Sequence, residues 1–377
     1  MADEEVCRLL NDAGKYRIED EIFEGRNADS FKAHHLHLGR DVFLKVYWVG
    51  DELADIFAEP QLLVTATANE GGSDYIVRVL DAEKLGGDYV LFATEWIEGG
   101  SLSANVADKC LSQCQAVSIA KGVLQGVSFL HRNGFVHRDL KPGNILVAST
   151  AAGLQPKICD FGSMARLPEG GQRVRASRNS ALYLPPEGNG DDGFYTVRSD
   201  VYQVGLLLGE MVNGQLPYDE NSYLDRESRR EIRECGGECL DDLNGFDRSQ
   251  IVSRSIARKA QRRQVLSLVQ EQPYYDVRLK RIVNRATAPD PALRYGTALE
   301  MLTALNNLSC PDWCTCEDGF LALGWRGYDW KIVEIVRRGV VQGYSVKRSN
   351  LGAGSFRGRG VQSPRLADVF QAVRDGV

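Results

Sequence analysis

The first hundred residues alternate between hydrophobic and polar positions in short runs, as β-strands do. The run 41–49 (DVFLKVYWV) predicts a buried strand, and the runs 75–80 and 88–94 predict two more. Residues 51–67 predict a helix that is broken or offset near Pro60, because proline lacks a backbone donor and clashes with the preceding turn. This part of the chain is therefore expected to be rich in strands, with one helical stretch.

The pattern becomes helical after Gly100. Ser112 is expected to cap the start of a long helix that ends near Asn133 and Gly134. The apolar residues of this helix recur at the spacing of a single face, namely Ala116, Ile119, Ala120, Val123, Val127 and Leu130.

Further along, residues 135–187 predict short strands and loops, and residues 201–211 predict a second apolar helix. The region 218–285 is highly charged and mostly helical in pattern. Residues 325–346 alternate like strands. The serine–proline pair at 363–364 then predicts a short helix, because serine caps a helix and proline suits its first turn. Its inward residues would be Leu366, Val369, Phe370 and Val373.

The composition is that of an ordinary globular protein, with 43% hydrophobic and 25% charged residues in a chain of 377. The formal net charge of -6 argues against binding of nucleic acid by the charge of the whole molecule. The N-terminal sequence MADEEVCRLL lacks the apolar core of a signal peptide, and no apolar run is as long as a membrane span. We therefore expect a cytoplasmic protein that does not enter a membrane.

Nine cysteines are scattered along the chain. In a reducing compartment most of them are expected to be free thiols. The clusters at 235–239 and 310–316 leave zinc binding as an alternative, although neither contains a C-x-x-C pair and no histidine is near them.

The composition changes at residues 310–319 (CPDWCTCEDG), which we interpret as a linker. Residues 320–377 contain ten basic and four acidic residues, and their pattern predicts a small module of two or three strands and a helix. Aromatic residues are interleaved with the basic ones: Trp325, Tyr328, Trp330, Tyr344 and Phe356. Such a basic module is expected to bind a protein partner, nucleic acid or the acidic remainder of the chain.

The segment 137–144 (HRDLKPGN) contains the groups that phosphoryl transfer to an alcohol requires. A carboxylate must orient the hydroxyl and accept its proton, and Asp139 can be that catalytic base. Lys141 can neutralise charge on the phosphoryl group during transfer. Asn144 offers an oxygen ligand for Mg²⁺, which bridges phosphates.

Two further motifs complete this chemistry. Asp160 begins the sequence D-F-G after an apolar strand and supplies a second oxygen ligand for Mg²⁺. Lys45 lies at the end of an apolar strand, where it can reach the α- and β-phosphates of ATP. An acidic residue on the following helix should pair with Lys45, and Glu59 is the first choice, with Glu52 second.

With these motifs the chain resembles the eukaryotic-type protein kinase family over about residues 16–308. Residues 137–144 match the catalytic loop of that family, and residues 160–162 match its metal-binding loop. Lysine at Lys141 is the form found in the serine/threonine branch.

Three downstream segments extend the resemblance. Residues 185–187 (PPE) match the A-P-E segment with one change. Residues 199–205 (SDVYQVG) match the segment whose aspartate, here Asp200, anchors the catalytic loop. Residues 290–294 (DPALR) match the segment whose arginine pairs with the A-P-E glutamate, which implies that Arg294 pairs with Glu187.

The resemblance implies an α+β fold with two lobes, a small antiparallel sheet lobe and a larger helical lobe, followed by a small α+β module. The implied boundaries are a lead-in at 1–14, an N-terminal lobe at 15–97, and a C-terminal lobe at 98–309 with an enlarged helical insert at about 219–285.

The resemblance also implies that ATP binds in the cleft between the lobes. The backbone of Glu95 and Ile97 would hydrogen-bond the edge of adenine, and Leu146 would pack under the base. Gly25 is the glycine that remains of three in the family's glycine-rich loop, which falls at residues 23–31.

The activation segment would span residues 160–187. Arg138 precedes the catalytic aspartate, and kinases with that arginine are often switched by phosphate on this segment, since arginine pairs well with phosphate. Ser177 is the candidate regulatory site and Ser163 the second choice. Ser180 takes the place of the family's threonine that contacts the catalytic aspartate and lysine.

The sequence thus predicts a serine/threonine protein kinase that transfers the γ-phosphate of ATP to protein hydroxyls, including its own. The eroded glycine loop, and Phe43 where the family has alanine above adenine, favour a second hypothesis, a pseudokinase scaffold with weak or no ATP binding. A kinase of small molecules is the third alternative. A nucleic-acid-binding protein acting through the C-terminal module is the fourth.

Overall fold

The computed structural model describes six ranges of the chain: 4–22, 28–48, 73–104, 111–151, 153–177 and 180–376. The first lobe contains the strands β1 (Tyr16–Ile22), β2 (Asp29–His35), β3 (Arg40–Trp48), β4 (Val79–Leu85) and β5 (Tyr89–Glu95). They form an antiparallel sheet in the order β1-β2-β3-β5-β4. The strand predicted at 41–49 is confirmed, and the other two lie slightly further along the chain than predicted. The helix predicted at 51–67 falls outside the described residues.

Alternation along β3 divides its side chains between the two faces of the sheet. Val42, Leu44 and Val46 are buried in the core of the first lobe, whereas Phe43 and Lys45 lie on the opposite face and are half-buried. This alternation places Lys45 on the side of the sheet that faces the rest of the chain.

The predicted lead-in at 1–14 is part of the first lobe. Residues Glu4–Asp12 form the helix α1, and its Val6 and Leu10 are fully buried in the same core as β3. These two residues are four apart, so they share one helical face that requires an apolar partner.

The second lobe is built around the helix α2 (Gln113–Arg132). Its start is the predicted cap: the Ser112 hydroxyl accepts a hydrogen bond from the Gln115 amide at 3.2 Å, and the Gln115 side chain accepts one from the Ser112 amide at 3.0 Å. The helix ends at Asn133, followed by Gly134 at φ +82°, as predicted.

The described residues of this lobe also form the helices α3 (Val197–Asn213), α4 (Arg226–Glu234), α5 (Gly245–Gln261), α6 (Val277–Ala286) and α7 (Ala298–Asn306). The predicted second apolar helix is α3, and nearly all of its residues are buried. The helical character predicted for 218–285 is confirmed by α4, α5 and α6.

Short strand pairs carry the loops between α2 and α3. They are β6 (Phe135–Val136) with β9 (Ala165–Arg166), β7 (Ile145–Thr150) with β8 (Gly153–Ile158), and β10 (Val174–Arg175) with β11 (Phe194–Tyr195). The predicted α+β fold with a sheet lobe and a helical lobe is therefore confirmed.

The C-terminal module is a five-stranded antiparallel meander covered by one helix. Its elements are β12 (Trp313–Cys316), β13 (Gly319–Trp325), β14 (Tyr328–Arg337), β15 (Val340–Asn350), β16 (Arg357–Ser363) and α8 (Leu366–Asp375). The prediction of a linker at 310–319 is wrong for residues 313–316, which form the strand β12. This strand pairs with β13, and its Trp313 is buried. The predicted inward residues Val369, Phe370 and Val373 of α8 are confirmed.

The module is docked on the helical lobe at the start of α2 and of α6. Gln113 is fully buried and donates to Cys310 Sγ at 3.0 Å, and its side-chain oxygen accepts the amide of Asp276 at 3.0 Å. Arg374 of α8 lies 3.4 Å from the Asp276 carboxylate. Tyr274 belongs to the hydrophobic core of the module, so the two parts share a core.

The aromatic residues of the module do not form an exposed surface for stacking on bases. Trp330 is fully buried, and Trp325, Tyr328 and Tyr344 pack against the same core. The structure therefore does not support the nucleic-acid hypothesis.

Two other expectations concern metals and membranes. The eight described cysteines are free, and within the described residues they form no group of three or more metal ligands. Across the described ranges, none of the helices has the length and apolar character needed to cross a membrane.

Candidate active site

The loop at 137–144 is held by Asp200, a fully buried residue in the first turn of α3. The Asp200 carboxylate accepts the backbone amides of His137 at 2.9 Å and Arg138 at 3.0 Å, and it lies 2.8 Å from His131 Nε2. Burial would raise the pKa of Asp200, but these hydrogen bonds hold it below its usual value. Asp200 thus anchors the loop at 137–144, as the family resemblance implied.

The backbone of this loop adopts a conformation that requires such support. Arg138 has φ +70°, in the left-handed region that non-glycine residues rarely adopt. Gln203 adds further anchors, since its side chain accepts the Leu140 amide at 3.0 Å and donates to the Tyr195 hydroxyl at 2.9 Å. The loop is therefore fixed from α3 on both sides of Asp139.

Asp139 is buried, and its two carboxylate oxygens differ in their surroundings. Oδ2 accepts hydrogen bonds from Lys141 Nζ at 2.9 Å and from the side-chain nitrogen of Asn144, Nδ2, at 3.0 Å. Oδ1 is also buried and has no hydrogen-bond partner among the described residues. A buried acceptor without a partner is unfavourable, so Oδ1 is suited to accept a proton donor from a bound molecule.

Asp160 and Lys45 meet across the cleft between the lobes. Lys45 Nζ donates to Asp160 Oδ1 at 3.0 Å. Burial would raise the pKa of Asp160, but the positive charge of Lys45 outweighs it and holds the pKa below its usual value. Asp160 has φ +60°, which is again uncommon for a residue with a side chain.

The residues predicted to bind Mg²⁺ fit a hard cation. The side-chain nitrogen of Asn144 donates to Asp139 O at 2.7 Å, and this orientation leaves the Asn144 oxygen available as a ligand. Asp160 is ionised, and its Oδ1 is bound to Lys45. One amide oxygen and one carboxylate form the oxygen-rich donor set that Mg²⁺ prefers.

The residues predicted around adenine lie between the lobes. Leu146 lies on β7, and the neighbouring Val147 amide donates to Gly100 O at 3.0 Å, which ties this strand to the segment after Ile97. The Glu95 carboxylate accepts from Lys157 Nζ at 2.7 Å, so its side chain is held by the second lobe.

Two predicted site residues, Gly25 and Glu59, fall outside the described residues, and the runner-up Glu52 does as well. The partner of Lys45 that the structure describes is Asp160.

The candidate regulatory serines lie beside Arg138. Ser177 Oγ donates to Ser163 Oγ at 3.3 Å. The Arg138 guanidinium donates to the carbonyl of Ser163, and to that of Arg175 at 2.8 Å. Ser180 Oγ accepts from Lys141 Nζ at 2.9 Å, the lysine contact that the resemblance implied for Ser180.

The predicted pair of Glu187 and Arg294 is confirmed. The guanidinium binds the carboxylate through two hydrogen bonds of 2.7 Å each, and both side chains are buried. Ser199 Oγ also donates to Glu187 at 2.7 Å. This pair joins the end of the activation segment to the loop between α6 and α7.

Three residues of the site were missed from sequence. Gln203 lies three residues after Asp200, so its place on the same helical face could have been found. His131 and Lys157 carried no such signal, because their partners Asp200 and Glu95 are distant in sequence.

The geometry is that of a phosphotransferase: a clamped catalytic loop, a buried carboxylate with an open oxygen, and a lysine–aspartate pair across a cleft. The chain belongs to the protein kinase domain family, which it matches over residues 16–302. The C-terminal module lies outside the matched residues.

Curated proteins similar to this chain include the following three kinases. The "Probable serine/threonine-protein kinase PknB" of Lactococcus lactis is 29% identical over 296 residues, which are 77% of this chain and 41% of that protein. The serine/threonine-protein kinase PknB of Mycobacterium leprae is 26% identical over 298 residues, 76% of this chain and 42% of that protein. Human cyclin-dependent kinase 20 is 32% identical over 203 residues, 53% of this chain and 57% of that protein. The chain therefore spans only part of the length of these relatives.

Proposed function

We propose that this protein is a serine/threonine protein kinase that transfers the γ-phosphate of ATP to hydroxyl groups of proteins, including its own. The observation that carries the proposal is the Asp139 carboxylate, with Oδ2 bound to Lys141 and Asn144 and Oδ1 buried without a partner in the described structure. A substrate hydroxyl that donates to Oδ1 would satisfy this acceptor and be oriented for attack.

The chain supplies the proton chemistry and the positioning. As the hydroxyl oxygen bonds to the γ-phosphorus, its proton passes to Asp139 Oδ1, and the bond from phosphorus to the β–γ bridging oxygen breaks to release ADP. Lys141 lies between Asp139 and Ser180, where its charge stabilises the negative phosphoryl oxygens. Lys45 would bind the α- and β-phosphates in the same cleft.

Asn144 and Asp160 would hold Mg²⁺, which would supply positive charge to neutralise the phosphates. Glu95 and Ile97 would bind the adenine edge through their backbone, with Leu146 below the base. Gly25 and Glu59 keep the roles that the family resemblance implies for them. A cytoplasmic location, likewise, stays a prediction.

Ser177 is the proposed regulatory site. A phosphate on Ser177 would lie beside Ser163, whose carbonyl binds the Arg138 guanidinium. Arginine binds phosphate strongly, so the modification would give Arg138 a charged partner and fix the activation segment on the catalytic loop. Replacing Ser177 by alanine is expected to remove the rise in activity that follows preincubation with ATP.

The other three hypotheses receive less support. The pseudokinase hypothesis depends on Phe43 and the glycine loop, yet Lys45, Asp139 and Asp160 are all in place. Kinases of small molecules usually lack the segments that contain Glu187 and Asp200, both of which are buried here. The nucleic-acid hypothesis requires exposed aromatic side chains, but Trp330 is buried and Trp325 and Tyr328 pack against the core of the module.

The test is autophosphorylation with labelled ATP and Mg²⁺, with the wild type beside Asp139→Asn and Asp160→Ala, and with phosphosites mapped by mass spectrometry. Labelling of the wild type alone is expected. Absence of labelling, together with no thermal shift from Mg-ATP, would transfer support to the pseudokinase hypothesis. Full activity of Asp139→Asn would show that the base is assigned wrongly.

A further inference from the structure

A cleft on the second lobe is lined mainly by arginine. It has a volume of about 580 Å³ and lies between α4 and the end of α5. We call it the arginine cleft, and its residues are Asp225, Arg226, Glu227, Arg230, Arg233 and Arg262. Three of the arginines follow one another on α4 at intervals of three and four residues, so they share a face of that helix.

The acidic residues of the cleft are already engaged by another arginine. Arg258 Nε lies 2.8 Å from Asp225 Oδ2 and 3.6 Å from Glu227. The hydrogen bonds from Arg258 hold the pKa of Asp225 well below its usual value, so this carboxylate stays ionised and bound to Arg258. Arg258 also lies 3.1 Å from Glu231, so three acids share it, but the four arginines that line the cleft still outnumber its two acids.

The cleft arginines themselves are exposed and largely uncompensated. Arg230 forms an exposed pair with Glu234 at 3.2 Å. Over the described ranges, Arg226, Arg233 and Arg262 form no ion pair, and all three are exposed. A concave site with unpaired guanidinium groups is suited to bind carboxylates or phosphates through paired hydrogen bonds.

The two helices that bound the arginine cleft also support the end of the activation segment. Residues Ala181 and Leu182 pack against the hydrophobic core that α4 and α5 form. The residue before them is Ser180, which binds Lys141 beside Asp139. The arginines of α4 lie on the face opposite its buried residues Ser228 and Ile232, so they point away from this core and into the cleft.

From this geometry we propose that the arginine cleft is a docking site for an acidic or phosphorylated segment of a protein substrate. The inference rests on the proposed kinase function and adds a substrate class to it. The cleft is concave and lies between two helices, which favours a peptide segment over the flat surface of a membrane.

The experiment measures binding of a fluorescent peptide to the full chain by anisotropy, without ATP. The peptide contains glutamates and one phosphoserine, and its counterpart contains glutamines and serine. The acidic peptide is expected to bind at least about tenfold more tightly, with an affinity that falls as salt rises, because the groups are exposed. The variant R226A/R230A/R233A should lose this preference.

A matched control removes the same charge elsewhere. Three exposed arginines of the C-terminal module serve for this, in the variant R337A/R357A/R359A. It should bind the acidic peptide like the wild type. Equal loss in both variants, or no preference in the wild type, would overturn the proposal. So would cleft-dependent binding to phosphoinositide vesicles in the absence of peptide binding, which would identify a membrane site.

Failure of the two proposals can be told apart. A chain that labels itself with ATP but shows no preference for the acidic peptide keeps the kinase function and loses the docking site. A chain that transfers no phosphate and binds neither peptide overturns both. Circular dichroism of each variant confirms that the fold is intact.

Discussion

The ammonium group of Lys45 lies 3.0 Å from Oδ1 of Asp160, which joins the sheet of the first lobe to the loop that follows β8. Both side chains are half-exposed to the cleft, at 24% and 39%. The contact therefore sets the relative position of the lysine proposed to bind phosphates and the aspartate proposed to bind a metal, without burying either.

Replacing Lys45 by methionine is expected to lower kcat/KM by about 100-fold or more, because a charge aimed at the phosphates is lost in a site of reduced dielectric constant. The melting temperature should change little, since the side chain is partly exposed. Lys84→Met, which changes an exposed lysine on β4, is the control and should keep full activity. Comparable activity of the two variants would remove Lys45 from the site.

Replacing Arg294 by alanine should destabilise the fold by about 3–5 kcal/mol, because it leaves the buried Glu187 carboxylate without its charged partner. Urea unfolding measures this change. Arg78→Ala, which breaks a pair with both side chains about two-thirds exposed, should cost no more than about 1 kcal/mol. A similar loss of unfolding free energy in the two variants would contradict the view that burial makes the Arg294–Glu187 pair costly to break.

Asp200 makes stability depend on pH in the acid range. Its pKa is lowered in the folded state, so the ionised carboxylate stabilises the fold above the unfolded pKa of about 3.9, and this contribution is lost as pH falls through the folded pKa. Urea unfolding of the wild type and of Asp200→Asn between pH 3 and 7 should show a stability difference that shrinks as pH falls. A difference that is constant over this range would be inconsistent with ionised Asp200 as the anchor.

Phe43 lies on the same face of β3 as Lys45, where the family resemblance implies the position of the adenine base, so the ring is expected to crowd it. Phe43→Ala should therefore lower the KM for ATP by at least about fivefold, which corresponds to relief of about 1 kcal/mol of overpacking. The exposed Leu38→Ala is the control. A KM that rises in Phe43→Ala would mean that the ring packs favourably against adenine.

The catalytic groups could be predicted because they are close together in sequence. Asp139, Lys141 and Asn144 fall within six residues, and their mutual hydrogen bonds follow from that spacing. The cap at Ser112 was predictable for the same reason, since it is completed three residues later. The contact of Arg294 with Glu187, 107 residues apart, came only from the family resemblance.

The structures of two segments were not predicted from the sequence, because they depend on what each segment packs against. The short helix α1 looked like a charged lead-in, but the core of the first lobe buries its Val6 and Leu10. The segment 310–319 looked like a linker, but it adds a strand to the module and contacts Gln113. Gln113 is 197 residues from Cys310 in the sequence, and the core that covers α1 includes Val42, Leu44 and Leu91 of the sheet.

The sequence by itself determined which residues form the candidate catalytic loop and where helices such as α2 begin and end, because both features depend on residues a few positions apart. The tertiary structure decided how the C-terminal module docks, that Trp330 belongs to its core, and that Asp225 pairs with Arg258. These outcomes depend on burial and on charge pairing between distant segments, which a local pattern of residues does not specify.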